Sequence, residues 1–171
     1  RSILLGGNVT GHGGAIALLA NGGGGQALGQ APASVITMAQ GSRIDAGTGA
    51  VKMRLLDGAG DPQRVNGAIT LASISAGRID VRNLGTSAGT NISVRAEGVL
   101  TASASGRAID LASLGGEVIN LAGDAGLVLT GGGHYGIFAA TPSGSQIGSF
   151  ANYARRYNVA NAAAYDALNP G

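Results

Sequence analysis

This 171-residue chain is predicted to be mainly β, a parallel β-helix solenoid with a short C-terminal helical cap. Three observations predict it. Glycines punctuate the middle of the chain at Gly67, Gly77, Gly89, Gly98, Gly106, Gly116 and Gly126, at intervals of 10, 12, 9, 8, 10 and 10 residues. Between them lie short runs of alternating apolar and polar residues, the mark of strands with one buried face. No run is followed by a helical pattern, so strand–helix–strand units are not expected.

The composition agrees. Gly supplies 32 residues, charged residues are 12% and aromatics 4%, with no Trp and no Cys, yet 44% is hydrophobic. A disordered chain would hold fewer β-branched apolar residues and more charge. Small and aliphatic side chains with many glycines suit thin repeated layers joined by tight turns. The absence of Cys excludes disulfides, thiolate metal sites and a Cys nucleophile. The formal net charge is +2, and Arg155–Arg156 is the only basic pair. Such scattered charge lacks the clustered footprint of a nucleic-acid binder, so no nucleic-acid partner is expected. No apolar run approaches the roughly 20 residues that span a bilayer as a helix. The chain begins at Arg1 instead of Met, and a fragment or processed product is expected.

Two domains of unequal size are expected, a solenoid over 1–140 and a turn plus helical cap or linker over 141–171. Ile3–Leu5, Ala15–Leu19, Val35–Met38 and Val51–Leu55 read as strands in the N-terminal third. Asn21 to Pro32 reads as an exposed Gly-rich excursion, and Asp57 to Asn66 as a polar loop. Ala68–Leu71, Arg78–Arg82, Asn91–Arg95, Ala108–Leu111, Glu117–Leu121 and Gly126–Thr130 continue the series. Within Arg78–Arg82, Ile79 and Val81 point one way while Arg78, Asp80 and Arg82 point the other. The inward residues are nearly all Ile, Val, Leu and Ala, so stacked rungs would form continuous aliphatic columns. Asn21-Gly22, Asn66-Gly67 and Asp57-Gly58 are hairpin-type dipeptides, but none joins two well-matched alternating runs. Gly132 to Phe138 marks the final rung, with Tyr135 and Phe138 closing the core. The segment 149–168 is Ala-rich, with Tyr153 and Tyr157 on one helical face, and Asn169-Pro170-Gly171 ends it.

A phrase recurs along the chain. Ser42-Arg43-Ile44-Asp45, Gly77-Arg78-Ile79-Asp80 and Gly106-Arg107-Ala108-Ile109-Asp110 resemble one another. These Gly-x-Ile-x-Val/Leu phrases, with Asn, Asp, Ser and Thr turns and many Ala-Gly pairs, resemble the filamentous-haemagglutinin type of large exoprotein over roughly Gly6 to Ala140. Such proteins are passengers of two-partner secretion in Gram-negative bacteria. The resemblance implies a right-handed parallel β-helix, secretion to the cell surface through an outer-membrane β-barrel transporter partner, and roles in adhesion, biofilm or contact-dependent competition. The family's N-terminal secretion domain carries Asn-Pro-containing motifs. None lies between Arg1 and Ala140, and Asn169-Pro170 sits at the other end, which implies an interior or late segment. No functional residue is carried over from the family.

Several candidate sites compete with simpler readings. Gly85-Thr86-Ser87-Ala88-Gly89 matches the Gly-x-Ser-x-Gly nucleophile elbow, and Asp110 or Asp124 with His134 would complete a triad. The elbow needs a strand before it and a helix after it. Here a strand follows, so an ordinary β-turn is the preferred reading. Asp45, Asp80 and Asp110, stacked in register, would form an outward carboxylate ladder. Paired carboxylates about 5–10 Å apart support glycoside hydrolysis. The preferred reading pairs each with Arg43, Arg78 or Arg107 in a solvated salt-bridge ladder. Aromatic platforms for sugar rings are missing from this region.

Gly22–Gly25 and Gly131–Gly133 are not followed by Asp as calcium-binding nonapeptides require. His12 and His134 each stand alone beside a Gly cluster. Asn8-Val9-Thr10 and Asn91-Ile92-Ser93 match a short glycosylation pattern that carries no function here. No catalytic, cofactor-binding or metal residue is therefore assigned, and no cofactor is expected.

The function expected from the sequence is a structural or adhesive segment, not an enzyme. It would act as a rigid spacer or filament subunit, presenting loops to a host or bacterial surface glycan or protein, with end-to-end self-assembly. The competing expectation is a carbohydrate-active β-helix lyase or hydrolase that uses surface carboxylates.

Overall fold

The structure, a computed structural model, describes residues 2–22, 33–58 and 65–148. Among the described residues, fifteen strands lie in chain order, three to a rung. The first rung holds β1 (Ile3–Leu5), β2 (Val9–Thr10) and β3 (Ile16–Ala20). The second holds β4 (Ser34–Met38), β5 (Arg43–Asp45) and β6 (Ala50–Leu55). The third holds β7 (Asn66–Leu71), β8 (Ser73–Ala76) and β9 (Arg78–Asn83). The fourth holds β10 (Ile92–Val94), β11 (Leu100–Ala102) and β12 (Arg107–Ser113). The fifth holds β13 (Val118–Asn120), β14 (Leu127–Leu129) and β15 (His134–Ala139). Every third strand stacks, giving three parallel five-stranded sheets in the orders β1-β4-β7-β10-β13, β2-β5-β8-β11-β14 and β3-β6-β9-β12-β15. The chain is a parallel β-helix solenoid.

Register follows the aliphatic columns. In the first sheet Ile3, Ile36, Ile69, Ile92 and Val118 stand one above another. In the second, Val9, Ile44, Ile74, Leu100 and Leu127 do so. In the third, Ile16, Val51, Ile79, Ile109 and Tyr135 form one column, and Leu18, Met53, Val81, Leu111 and Ile137 the next. Members from the second to fourth rungs are buried almost completely. Each such side chain stabilises the fold by about 1.5–3 kcal/mol. A slip of one residue would turn a whole column to solvent, so the pattern itself holds register.

The strands of the second sheet were mostly missed in the sequence. They have two to four residues, and in β2, β5, β8 and β11 only one is large and apolar, the rest being Ala, Ser, Thr or charged. A run that short shows no periodicity. At the corner between the second and third sheets the backbones close up. Gly77 N–H donates to the Gly49 carbonyl at 2.8 Å, and Ala104 N–H donates to the Gly77 carbonyl at 2.8 Å. A Cβ on Gly77 would collide with the Thr48 carbonyl oxygen.

A polar seam lines the corner between the third sheet and the next rung. Asn21, Asn66 and Asn83 are buried there. The Asn21 amide donates to Asn66 Oδ1 at 2.6 Å and to the Leu56 carbonyl at 3.1 Å. The Asn66 amide donates to Asn83 Oδ1 at 3.1 Å and to the Leu55 carbonyl at 3.2 Å. Asn83 donates to the Gly67 carbonyl at 2.8 Å, and its Oδ1 accepts from Gly85 N–H at 3.2 Å. Ser113 extends the seam, donating to the Thr90 carbonyl at 2.7 Å and accepting from Gly116 N–H at 3.1 Å. Here the chain leaves one strand for another and has no ladder to satisfy its backbone, so amide and hydroxyl side chains supply the partners.

Some expectations need correction. Asn21 and Asn66 are not loop-tip residues; both are buried in the seam, and Asn66 opens β7. As expected, Asn66-Gly67 makes no hairpin, because β7 pairs parallel with β4 and β10. A register shift opposite Val35 accommodates the extra residue of β7. Tyr135 does pack on the aliphatic core, and its hydroxyl donates to the Leu127 carbonyl at 2.9 Å. Phe138 does not, because it stands in register with Ala112 on the opposite face of the sheet. Most of the Gly-rich excursion, most of the polar loop, and the expected cap with Arg155–Arg156 lie outside the described residues.

Urea denaturation should show Gly77→Ala destabilised by about 2–4 kcal/mol, the range of an overpacked site that relaxes poorly. Asn83→Ala should lose a similar amount, about 2–4 kcal/mol, because the Gly67 carbonyl, Gly85 N–H and one of the two Asn66 amide contacts lose their partner. A loss below measurement error for Asn83→Ala would remove the seam as a stabilising element.

Burial raises the Tyr135 hydroxyl above its ordinary pKa of 10.0. A phenol with a raised pKa stabilises the fold while protonated and loses that contribution as pH climbs through the folded value. Stability should therefore fall above pH 10.0 in the parent. Comparing thermal melts with pH should show a flatter fall in Tyr135→Phe; identical alkaline profiles would contradict the assignment.

Candidate functional site

The densest group of ionisable side chains among the described residues lies on the outward face of the third sheet. Alternation puts it there. Ile79 and Val81 take the core positions of β9, so Asp80 and Arg82 must point outward. The same holds for Lys52 and Arg54 on β6 and for Asp110 and Ala112 on β12. Register sets Lys52 beside Asp80 but otherwise stacks like upon like. Asp110 stands beside Asp80, and Arg82 stands beside Arg54.

Like charges directly opposite one another repel. The side chains resolve this by reaching diagonally. Arg54 pairs with Asp80, while its second terminal nitrogen donates to the Met53 carbonyl at 2.9 Å and the Asp80 carbonyl at 3.0 Å. Arg82 spans the two acids. Its Nε lies 3.3 Å from Asp80 and its Nη2 lies 3.1 Å from Asp110. Arg107 approaches Asp110 at 3.6 Å from three residues earlier in β12. The network Arg54–Asp80–Arg82–Asp110–Arg107 thus crosses three rungs. Its side chains range from 21% exposed at Asp80 to 0% at Asp110.

The three-acid ladder read from the sequence is therefore corrected. Asp45 belongs to the second sheet, where its register partners are Thr10 and Ser75. It pairs at 3.5 Å with Arg43, with 41% and 55% of the side chains exposed. The recurring phrase misled because it begins on β5 in one rung and on β9 and β12 in the next two. Asp80 takes its partners from Arg54, one rung earlier, and from Arg82, two residues later; the expected Arg78 is not among its ion pairs. The ladder is also buried instead of solvated.

Chemically, the arrangement suits positional locking. Each carboxylate is bound to guanidinium groups, and Asp110 has no exposed surface from which to exchange a proton with a substrate. A pair of carboxylates doing acid–base work on a sugar needs access to it. A one-residue slip of any rung would carry these charges toward the aliphatic columns.

The other candidates are scattered. Ser87 is exposed in a turn, where its carbonyl accepts from the Thr90 hydroxyl at 2.9 Å and Gly89 adopts φ +84°. Strand β10 follows instead of a helix, so the strained elbow is not formed. Asp110 is held by Arg82 and Arg107, His134 opens β15 beside Arg107, and Asp124 lies in a short 3-10 turn, Gly123–Gly126. His12 occupies an exposed turn with φ +46° next to Gly13. The sequence reading overlooked Arg54 and Arg82 as partners of the acids. Their signal was present in the alternation of Val51–Leu55 and Arg78–Arg82, but only the register between rungs connects them.

Comparison of the whole chain with known protein families, with curated proteins and with solved structures finds no match.

Asp110→Ala leaves Arg82 and Arg107 facing one another in a buried site. Chemical denaturation should show a loss of about 3–5 kcal/mol, the cost of breaking a buried pair. Asp45→Ala removes an exposed pair and should change stability by less than about 1 kcal/mol. Equal losses at the two positions would contradict the distinction between a locked network and a surface pair.

Proposed function

We propose that this chain is a structural or adhesive segment of a secreted or surface-displayed bacterial exoprotein, a rigid spacer that holds its loops out for contact. One observation carries the reading. The described residues form a five-rung solenoid whose main ionisable cluster is spent on internal ion pairs. Such a body is stiff because each rung buries its core only against its neighbours. The sequence texture over Gly6 to Ala140, similar to filamentous-haemagglutinin-type exoproteins, supports the surface location. It also supports an outer-membrane β-barrel transporter as export partner. The described chain stops at Gly22 and at Gly58 and resumes at Ala33 and Val65, each time between the third sheet of one rung and the first sheet of the next. A glycan or protein on a host or bacterial surface is the contact proposed for that corner.

A second reading, a polysaccharide lyase or hydrolase, draws on the in-register pair Asp80 and Asp110. The guanidinium partners and the burial of Asp110 weigh against it.

Antibodies raised against the 23–32 peptide should label intact cells that make the protein, and brief protease treatment of those cells should remove the signal. Labelling only after lysis would sink the surface reading. Purified chain should retain its binding to whole cells or their glycans when Asp80→Asn is introduced, with no release of reducing or unsaturated sugar ends by either form. Cleavage abolished by Asp80→Asn would establish the enzyme instead.

A further inference from the structure

Charges that lie scattered along the sequence are gathered by register onto one face. The outward face of the third sheet holds five cations, Lys52, Arg54, Arg78, Arg82 and Arg107, against two carboxylates, Asp80 and Asp110, a surplus of three positive charges. The rest of the described residues hold two arginines, Arg43 and Arg95, against Asp45, Asp57, Glu97, Glu117 and Asp124, a surplus of three negative charges. The described residues thus sum to no net charge, and the positive side of the balance sits on one sheet.

Two of the five cations are left over from the ion network. Arg54, Arg82 and Arg107 are bound to Asp80 and Asp110. Lys52 stands in register with Asp80, and Arg78 lies two residues before it. Asp80 is already taken from both sides by Arg54 and Arg82, and neither Lys52 nor Arg78 forms an ion pair among the described residues. Lys52 is exposed and Arg78 half-buried, while Ala50, the register partner of Arg78, is small and exposed. The pair can therefore be approached from solvent. With strands about 4.8 Å apart and a rise of about 3.3 Å per residue, the two Cα atoms lie about 8 Å apart.

The network shows what such a gap takes. Asp80 is shared by Arg54 and Arg82, and Asp110 by Arg82 and Arg107. One rung earlier in the same column, where the series calls for another carboxylate, stands Lys52. We infer that Lys52 and Arg78 bind carboxylates of an acidic polysaccharide, a uronic-acid polymer lying along the third-sheet face. Ammonium and guanidinium groups take carboxylates through charge-assisted hydrogen bonds. A polymer suits the site because exposed pairs are individually weak and repetition along a chain raises occupancy. A folded protein partner needs an apolar centre. Apart from Ala50, every outward residue of β6 and of Arg78–Arg82 is charged. Nucleic acid suits it less, because a small charge surplus releases few counterions and no outward aromatic on these strands can stack a base. The inference deepens the adhesive reading, on which its purpose rests, by naming a ligand class and a second contact surface.

The test is binding of the 171-residue chain to immobilised polygalacturonate, at about 50 mM salt so that surface charge is only partly screened. The parent should be retained there and not on neutral dextran. The double variant Lys52→Gln, Arg78→Gln should keep the parent circular dichroism and bind about tenfold more weakly, the upper range for two exposed pairs. Lys52→Arg should bind as the parent does. Arg43→Gln with Arg95→Gln removes the same charge elsewhere and should leave retention unchanged. If the double variant loses its fold, Lys52→Gln alone, at an exposed side chain, carries the test with binding about threefold weaker. A parent that is not retained overturns the inference. So does retention that the Lys52 and Arg78 variants leave unchanged, or that falls equally in the Arg43 and Arg95 variant. Tighter binding to duplex DNA or to poly-glutamate than to polygalacturonate overturns the ligand class and assigns the face to nucleic acid or to an acidic protein segment. Surface labelling of cells is independent of these outcomes, so failure of the polysaccharide site and failure of the adhesive reading are distinguishable.

Discussion

Every feature of this molecule depends on the in-register stacking of one rung on the next. A parallel ladder places each inward side chain above its equivalent, and the two-residue period of a strand makes that placement all or none. Ile3, Ile36, Ile69 and Ile92 form a column because a shift by one position would expose an isoleucine, and at Ile36, Ile69 and Ile92 would turn Thr37, Thr70 or Ser93 inward. The energy of the fold is therefore spread along the axis instead of gathered at a centre. Each rung contributes chiefly through its neighbours.

Polar groups are used where aliphatic stacking has no hold. At the corner beyond the third sheet, the seam of Asn21, Asn66, Asn83 and Ser113 satisfies backbone that no ladder reaches. On the outer face of the same sheet, diagonal ion pairs link two carboxylates and three guanidinium groups into one network. A buried network is a weak source of net stability and a strong discriminator against wrong pairings. Both devices mark register, one from the corner and the other from the face.

The outer surfaces divide the molecule by chemistry. Thr37, Thr70 and Ser93 stack on the first sheet, and Thr10, Asp45, Ser75 and Thr101 on the second. These faces are flat and sparsely charged. The third sheet carries the ion network.

The sequence by itself determined the class of the fold and most of the strands. Period-two runs of Ile, Val and Leu between spaced glycines leave no other way to bury one face, and the absence of helical periodicity rules out crossover helices. It also held the acids and arginines in their outward positions, because alternation decides which face a residue takes. Only the tertiary structure decided which rung position each residue shares with the next. The excursions after β3 and β6 lengthen the first two rungs, so spacing along the chain ceases to report spacing along the axis. That is why Asp45 was grouped with Asp80 and Asp110, why Arg54 was not joined to Asp80, and why Asn21 and Asn66 read as loop residues when they are core. Local pattern sets the face of a side chain; the partner on that face is set by loop length and by the fit of whole rungs, which no short stretch of sequence contains.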